Sequence, residues 1–392
     1  MQQPPPRTIS VLRTLRRRAR NVTGMVWHQI TAALALALDP WEALRLRRKI
    51  RQGELKSVRC LVPFTTMEFL NRGLVSSCCE AYTRVPAIGN IKRGSIEEIW
   101  NGRAIRRVRR RLLLGETGKV CRPACPFLLK QPVVIADMAA QTERGRQLKE
   151  DLTAGRVRLR THPAEFHLSN WGPCNLRCIM CASRTEYAMP SHVRKTQENL
   201  KHFFDKEIRI LLTGNGDLLA RPDTRQLLEE FDANRYRGVE FEILTNGLLW
   251  TPKMWERIKH CHFHTINISV DAATPETYER IRRGGRWEAL VAALDLIRQA
   301  LSEGRFRYVM MNMTVMRSNY REIPAFIALA RRYGFHAVFA PIHGTWADEN
   351  IFALDDRAAL EELRQILTDP ALYGPNVDLR SIPGANDPPC PQ

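Results

Sequence analysis

From Glu165 onward, six short apolar runs alternate with amphipathic stretches, and this alternation restricts the fold of the 392-residue chain more than any other feature. The runs are Glu165 to Leu168, Ile208 to Thr213, Val239 to Leu244, Thr265 to Val270, Tyr308 to Val315 and Ala337 to Pro341. Helical stretches lie between them near Gln197 to Phe204, Arg225 to Asn234, Lys253 to Lys259, Trp287 to Ser302 and Ile323 to Tyr333. Strands separated by helices read as parallel β/α units. The expectation is an α/β fold, a partial (β/α)6 TIM-like barrel over residues 161–345. In such barrels functional side chains gather at the C-terminal ends of the strands.

The preceding sequence reads differently. Residues 1–57 open with Pro4-Pro5-Pro6 and become helical and rich in Arg, Ala and Leu, either a surface helix or a basic helix lying on a membrane. Residues 58–130 suggest a small cysteine-bearing α+β unit. It has strand-like runs at Leu61 to Phe69 and Leu74 to Ser77, and a turn at Asn71-Arg72-Gly73. A helix from Ser95 to Leu114 begins with a capping box, Ser95 and Glu98. Residues 131–160 read as a helical connector and 346–392 as a C-terminal segment.

The longest apolar run, Ile30 to Leu38, stops at Asp39-Pro40, well short of the about 18 residues that a spanning helix needs. No transmembrane segment is expected. The net charge of +19 raises the possibility of a polyanion partner, and Arg103 to Arg111 alone holds six Arg. However, 49 of the 60 basic residues are Arg, spread along the whole chain, which fits a compositional bias equally well. Nucleic-acid binding is therefore possible but not favoured.

The ten cysteines carry more information than the charge. Eight fall in tight groups, and only Cys261 and Cys390 stand apart. A disulfide framework is a habit of short secreted chains. The expectation is a reduced, cytoplasmic protein that uses thiolates as metal ligands.

Just after the first strand comes Cys174-Asn175-Leu176-Arg177-Cys178-Ile179-Met180-Cys181, a C-x3-C-x2-C triplet. Three thiolates in one loop can hold three corners of a cubane and leave the fourth iron open, since such clusters normally take four. A zinc site with a distant fourth ligand is the alternative. Three further motifs fall at strand ends: Thr213-Gly214-Asn215-Gly216-Asp217, Leu244-Thr245-Asn246-Gly247 and Ser269-Val270-Asp271.

With these four motifs in order, the stretch from about Glu165 to Pro341 resembles the radical S-adenosylmethionine (radical SAM) enzymes. The resemblance implies that Cys174, Cys178 and Cys181 hold a 4Fe–4S cluster whose open iron is chelated by S-adenosylmethionine. It implies that Gly214, Asn215, Gly216 and Asp217 stand for the family's glycine-glycine-glutamate segment at the cofactor's amino group. Asn215 and Asp217 depart from that pattern. Ser269 and Asp271 resemble its polar contacts to ribose or carboxylate.

Cys60, Gly73, Cys78, Cys79 and the pair Cys121-x3-Cys125 form a second set. A structural zinc knuckle would explain it. The spacing, with Ile88-Gly89-Asn90 and Ser95 to Asn101, instead resembles the SPASM or twitch-type auxiliary domain of the same family. That resemblance implies an auxiliary 4Fe–4S cluster on Cys60, Cys78, Cys121 and Cys125, with Cys79 a possible substitute for Cys78. Two clusters are thus expected. The family usually places this domain after the barrel, whereas here it comes first.

The implied activity is reductive cleavage of S-adenosylmethionine to a 5′-deoxyadenosyl radical that abstracts a substrate hydrogen. The substrate would be a peptide or a sugar or aminocyclitol-like small molecule, oxidised, epimerised or cross-linked. An electron donor such as flavodoxin or ferredoxin is implied. An RNA-modifying enzyme of the same chemistry and a zinc-stabilised nucleic-acid-binding protein are the rivals. Among smaller features, His260-Cys261-His262-Phe263-His264 reads as structural. Asn312, Thr314 and His343 are further candidates to face cofactor or substrate, and Arg282 and Arg283 read either as a clamp for an acidic substrate group or as solvated side chains, the second being favoured.

Overall fold

The computed structural model describes residues 41–79, 82–85, 87–123, 125–181, 191–213, 216–342, 346, 348–353, 356–383 and 385. Gly214, Asn215, His343, Cys390 and the stretch before Trp41 lie outside the described residues. The chain divides into two compact units. One runs through Glu68 and resumes over Gly73–Pro163; the other holds Phe69–Arg72 and the chain from Ala164.

The second unit is built on parallel strands in chain order: β1 (Glu165–Leu168), β2 (Ile208–Leu212), β3 (Val239–Thr245), β4 (Phe263–Ser269), β5 (Tyr308–Val315), β6 (His336–Pro341) and β7 (Val377–Asp378). Every neighbouring pair among them is parallel. The connecting helices include Ser191–Leu200, Pro222–Glu229, Pro252–Ile258, Trp287–Ser302 and Ile323–Tyr333. Two helices have no counterpart in the sequence pattern, Pro275–Ile281 and Arg357–Ile366. Both are capped at the start: the Thr274 hydroxyl accepts from Thr277 N–H and the Asp356 carboxylate from Ala359 N–H. The second helix and β7 show that the C-terminal segment adds to the fold.

Side chains alternate along each strand. Ile210, Phe241, Ile243, Ile266, Ile268, Met311 and Met313 are fully buried on one face. Glu165, His167, Arg209, Glu240, Glu242, Asn267, Ser269, Asn312 and Thr314 occupy the alternate positions and stay partly exposed or polar. Parallel sheets are usually apolar on both faces. Here one face is polar, with Asn312 Nδ2 donating to Asn267 Oδ1 across β5 and β4.

In the first unit, helix Glu42–Arg51 meets helix Arg103–Leu113 through a buried ion pair. Arg111 Nε lies 2.9 Å and Arg107 Nε 3.4 Å from the Glu42 carboxylate. Arg109 is fully buried, its guanidinium 4.0 Å above the Trp100 ring. It donates to the carbonyls of Pro63 at 2.8 Å and Val157 at 3.1 Å, and to Asn101 Oδ1 at 3.2 Å. The arginine run is thus half internal and not a continuous basic face.

The helix expected from Ser95 to Leu114 is in fact two, Ile96–Trp100 and Arg103–Leu113. The capping box is present: Glu98 N–H donates to Ser95 Oγ, and Ser95 N–H to Glu98 Oε2. The break comes at Asn101, whose side chain pairs with both the N–H and the C=O of Leu159. Gly102 then turns extended, at ψ 169°. Residues 131–160 contain strand Val133–Val134, antiparallel to Ser57–Val58, and helix Glu143–Thr153.

Candidate cofactor site

The cysteine triplet follows β1 in a loop that runs alongside residues 281–283. Ile179 N–H donates to Ile281 O at 3.0 Å and Arg177 N–H to Arg283 O at 2.9 Å. Ile179 and Met180 pack on the buried cluster of Ile281, Met316 and Ile342. These contacts fix the loop from two sides.

Polar groups converge on the sulfurs. Leu176 N–H lies 3.4 Å and Asn246 Nδ2 3.7 Å from Cys174 Sγ, and Arg282 Nη1 lies 3.6 Å from Cys178 Sγ. Burial pushes both thiols up, while the Leu176 amide and the Arg282 guanidinium respectively pull the other way. Arg282 is buried, which corrects the expectation that it is solvated.

The glycine segment and the acids anchor the surrounding strand ends. Gly216 has φ +135°, and a Cβ there would lie 2.6 Å from Gly172 O and 2.7 Å from Pro173 O. Only glycine fits that approach. Asp217 is 1% exposed: its Oδ1 accepts from Leu219 N–H at 3.0 Å, and Oδ2 from Thr245 Oγ1 and Asn246 N–H, each at 2.8 Å.

Asp271, after β4, is fully buried with φ +65°. Its Oδ1 accepts from Thr314 N–H at 2.7 Å, and its Oδ2 lies 2.5 Å from Arg282 Nη2. Both carboxylates therefore face protein partners. Ser269 remains partly exposed at the end of β4, paired in register with Asn312.

Two contributors had little sequence signal. Arg221 is buried and bridges strand ends, donating to Asn170 O at 2.7 Å while paired with Asp223 at 2.7 Å. Asn319 donates to Asp271 O at 2.8 Å and Thr314 O at 2.9 Å. Neither belongs to a recognisable motif. Asn319 is found only by asking which group satisfies the carbonyl of a strained Asp271.

In the first unit Cys60 and Cys125 are buried, Cys78 and Cys121 half-buried and Cys79 exposed. Burial raises the Cys78 thiol, and Cys60, Cys125, Cys79 and Cys121 raise it further. Cys121 is pushed up to about 11 by burial, then by Cys125 and Cys60. Such mutual repulsion of thiolates is what a shared polynuclear iron centre would relieve. An antiparallel bridge between Thr83 and Cys121 joins the segments carrying these cysteines.

Among the described residues no three His, Cys, Asp or Glu side chains already form a site for a single ion. None of the nine described cysteines is tied up in a disulfide. The grouped thiols, with N–H donors aimed at two triplet sulfurs, fit iron–sulfur clusters. The histidine run is structural: His262 Nε2 contacts Ala233 O at 3.2 Å, and Cys261 donates to Leu228 O at 3.2 Å.

Residues 172–330 match the family model of the Radical SAM superfamily, and residues 60–126 match SPASM, an iron-sulfur cluster-binding domain. The chain thus carries a Radical SAM domain, with a SPASM domain preceding it in the sequence.

Among curated relatives it is 29% identical over 213 residues to the AdoMet-dependent heme synthase of Methanosarcina barkeri, covering 52% of each chain. It is 29% identical over 163 residues to the mycofactocin maturase MftC of Mycobacterium tuberculosis, covering 41% of this chain and 40% of that one. The chain thus spans about half the length of the curated relatives it matches, or less. Among solved structures, Streptococcus suis SuiB bound to S-adenosylmethionine aligns with a TM-score of 0.44 at 15% identity, over 62% of this chain and 57% of that chain. No described helix is long and apolar enough to cross a membrane.

Proposed function

We propose that this protein is a radical SAM maturase that removes a hydrogen from a peptide substrate. The observation that carries the reading is the cysteine triplet fixed at the strand ends, together with four grouped thiols in the other unit. Cys174, Cys178 and Cys181 would hold the cluster that binds S-adenosylmethionine. Cys60, Cys78, Cys121 and Cys125 would hold an auxiliary 4Fe–4S cluster, with Cys79 able to replace Cys78. When bound, cluster and cofactor supply a 5′-deoxyadenosyl radical as the hydrogen acceptor.

The chain's own residues position and enclose that chemistry. Gly216 and Ser269 would line the cofactor side, and the resemblance assigns Gly214 and Asn215 to it, while Asp217 and Asp271 would serve it indirectly. Asp217 acts by holding Thr245 and Asn246, and Asp271 by holding Arg282 and the Thr314 amide. The polar face around Asn267 and Asn312 offers amide partners to a peptide backbone.

Similarity to the mycofactocin maturase supports the peptide. Similarity to a heme synthase favours, as a second reading, a small-molecule substrate. The RNA reading loses support because half the arginine run is internal. An electron donor such as flavodoxin or ferredoxin and the reducing cytoplasm complete the proposal.

The test is a Cys121→Ala, Cys125→Ala variant given reductant and S-adenosylmethionine. Expected is 5′-deoxyadenosine near the wild-type uncoupled level, with little modified substrate. An undiminished yield of modified substrate would reduce the SPASM unit to scaffolding. Loss of 5′-deoxyadenosine with the triplet cluster intact would place that unit in the electron path instead.

A further inference from the structure

Arg282 is held in place from both sides of the chain. The carbonyls of its neighbours, Ile281 and Arg283, both accept N–H groups of the cysteine loop, so the residue between them is pinned against that loop. Its guanidinium forks: Nη2 lies 2.5 Å from Asp271 Oδ2, and Nη1 lies 3.6 Å from Cys178 Sγ.

Asp271 is itself fixed. Thr314 N–H binds its other oxygen, Asn319 binds its carbonyl, and its φ of +65° is a costly conformation for a residue with a side chain. Removing an ion pair from water is expensive and is weak evidence for stability alone. A strained, enclosed pair that delivers one N–H to a sulfur calls for another explanation. Charge and hydrogen bonds at ligating sulfurs set cluster potentials.

We propose that the Asp271–Arg282 pair is a positioning device that presents a fixed cation and an N–H to the Cys178 thiolate, raising the reduction potential of the triplet's cluster. Reduction adds negative charge at the cluster, and a nearby cation stabilises the reduced form more than the oxidised one. Asp271 keeps the guanidinium from swinging away. Lysine, a point charge without a fork, cannot hold both partners at once. The inference rests on the reading that Cys174, Cys178 and Cys181 hold a cluster.

The experiment is an anaerobic redox titration, followed by electron paramagnetic resonance, of the reconstituted full chain without S-adenosylmethionine. Wild type is compared with Arg282→Gln, Arg282→Lys and the double variant Arg282→Gln, Asp271→Asn. The auxiliary cluster serves as internal control and should titrate alike in all four. Expected for the triplet cluster is a more negative potential in Arg282→Gln, with Arg282→Lys between it and wild type.

The double variant carries no unpaired buried charge, so it keeps the test alive if Arg282→Gln does not fold. Its potential should also lie below wild type, because the group nearest the sulfur is gone. Equal potentials in wild type and in each folded Gln variant, at full iron content, would overturn the inference while leaving the cluster assignment standing. Wild type that lacks a triplet-dependent cluster would instead overturn the assignment beneath it.

Discussion

Asp217 and Asn246 are joined by a 2.8 Å hydrogen bond from the Asn246 amide to Asp217 Oδ2, and Asn246 in turn reaches Asn175 Oδ1 at 2.8 Å and Cys174 Sγ at 3.7 Å. A buried carboxylate after β2 thereby sets the position of a side chain after β3 that steadies the cysteine loop. Substituting Asp217 with Ala leaves Thr245, Asn246 and Leu219 donors short of an acceptor. The cost should be about 1–3 kcal/mol for each buried donor that water does not reach. Urea unfolding would measure the loss of stability, and anaerobic gel filtration should show the variant shedding iron sooner than wild type.

Gly216→Ala should be worse than its size suggests. The residue sits at φ +135°, and the added methyl meets main-chain oxygens of Gly172 and Pro173, which cannot rotate away. Strain of this kind costs of order 1–3 kcal/mol before the clash is counted. Gly334, at φ +73° with open space for 4 Å around the place an added methyl would take, is the control. Gly334→Ala should lose less stability and leave S-adenosylmethionine affinity unchanged, whereas Gly216→Ala should weaken it in a binding titration.

Glu42→Ala removes a carboxylate that Arg107 and Arg111 share. Breaking a buried ion pair from one side costs about 3–5 kcal/mol, because it strands charge away from water. Arg45 and Glu116, 2.8 Å apart but with Arg45 44% exposed, provide the contrast. Arg45→Ala should change stability by about 0–1 kcal/mol. Chemical denaturation of the two variants should separate them clearly.

Cys261 should resist alkylation in the folded protein. Burial pushes its thiol up to about 12, and the thiolate is the reactive form. At pH 8.5 very little of the thiol is ionised, and reactivity should climb as pH rises. Mass spectrometry after iodoacetamide should find Cys261 unlabelled until denaturant is added. Zinc should not alter the labelling, in keeping with the structural bonds of Cys261 and His262.

Much of the architecture was legible because its periods are strong. Helices Trp287–Ser302 and Ile323–Tyr333 match their expected limits, since each carries several turns of apolar residues at helical spacing. Pro275–Ile281 was missed because its seven residues bury only Thr277, Tyr278 and Ile281. Two-residue β7 leaves no pattern at all. The cysteine groups and the strand-end motifs were visible as spacing. What spacing could not reveal was direction: Asp217 and Asp271 look like cofactor contacts in the sequence, yet each turns toward protein donors. Arg282 looked like half of a solvated pair because the loop that buries it is about a hundred residues away along the chain.

The inward turn of Arg107, Arg109 and Arg111 changes how the protein meets salt. Counterions gather around charge that water can reach, and a polyanion gains affinity by releasing them. Guanidinium groups enclosed against Glu42, Trp100 and main-chain carbonyls hold few counterions to release. Any binding of this chain to a nucleic acid or an anionic surface should therefore weaken with added salt less steeply than a formal charge of +19 suggests.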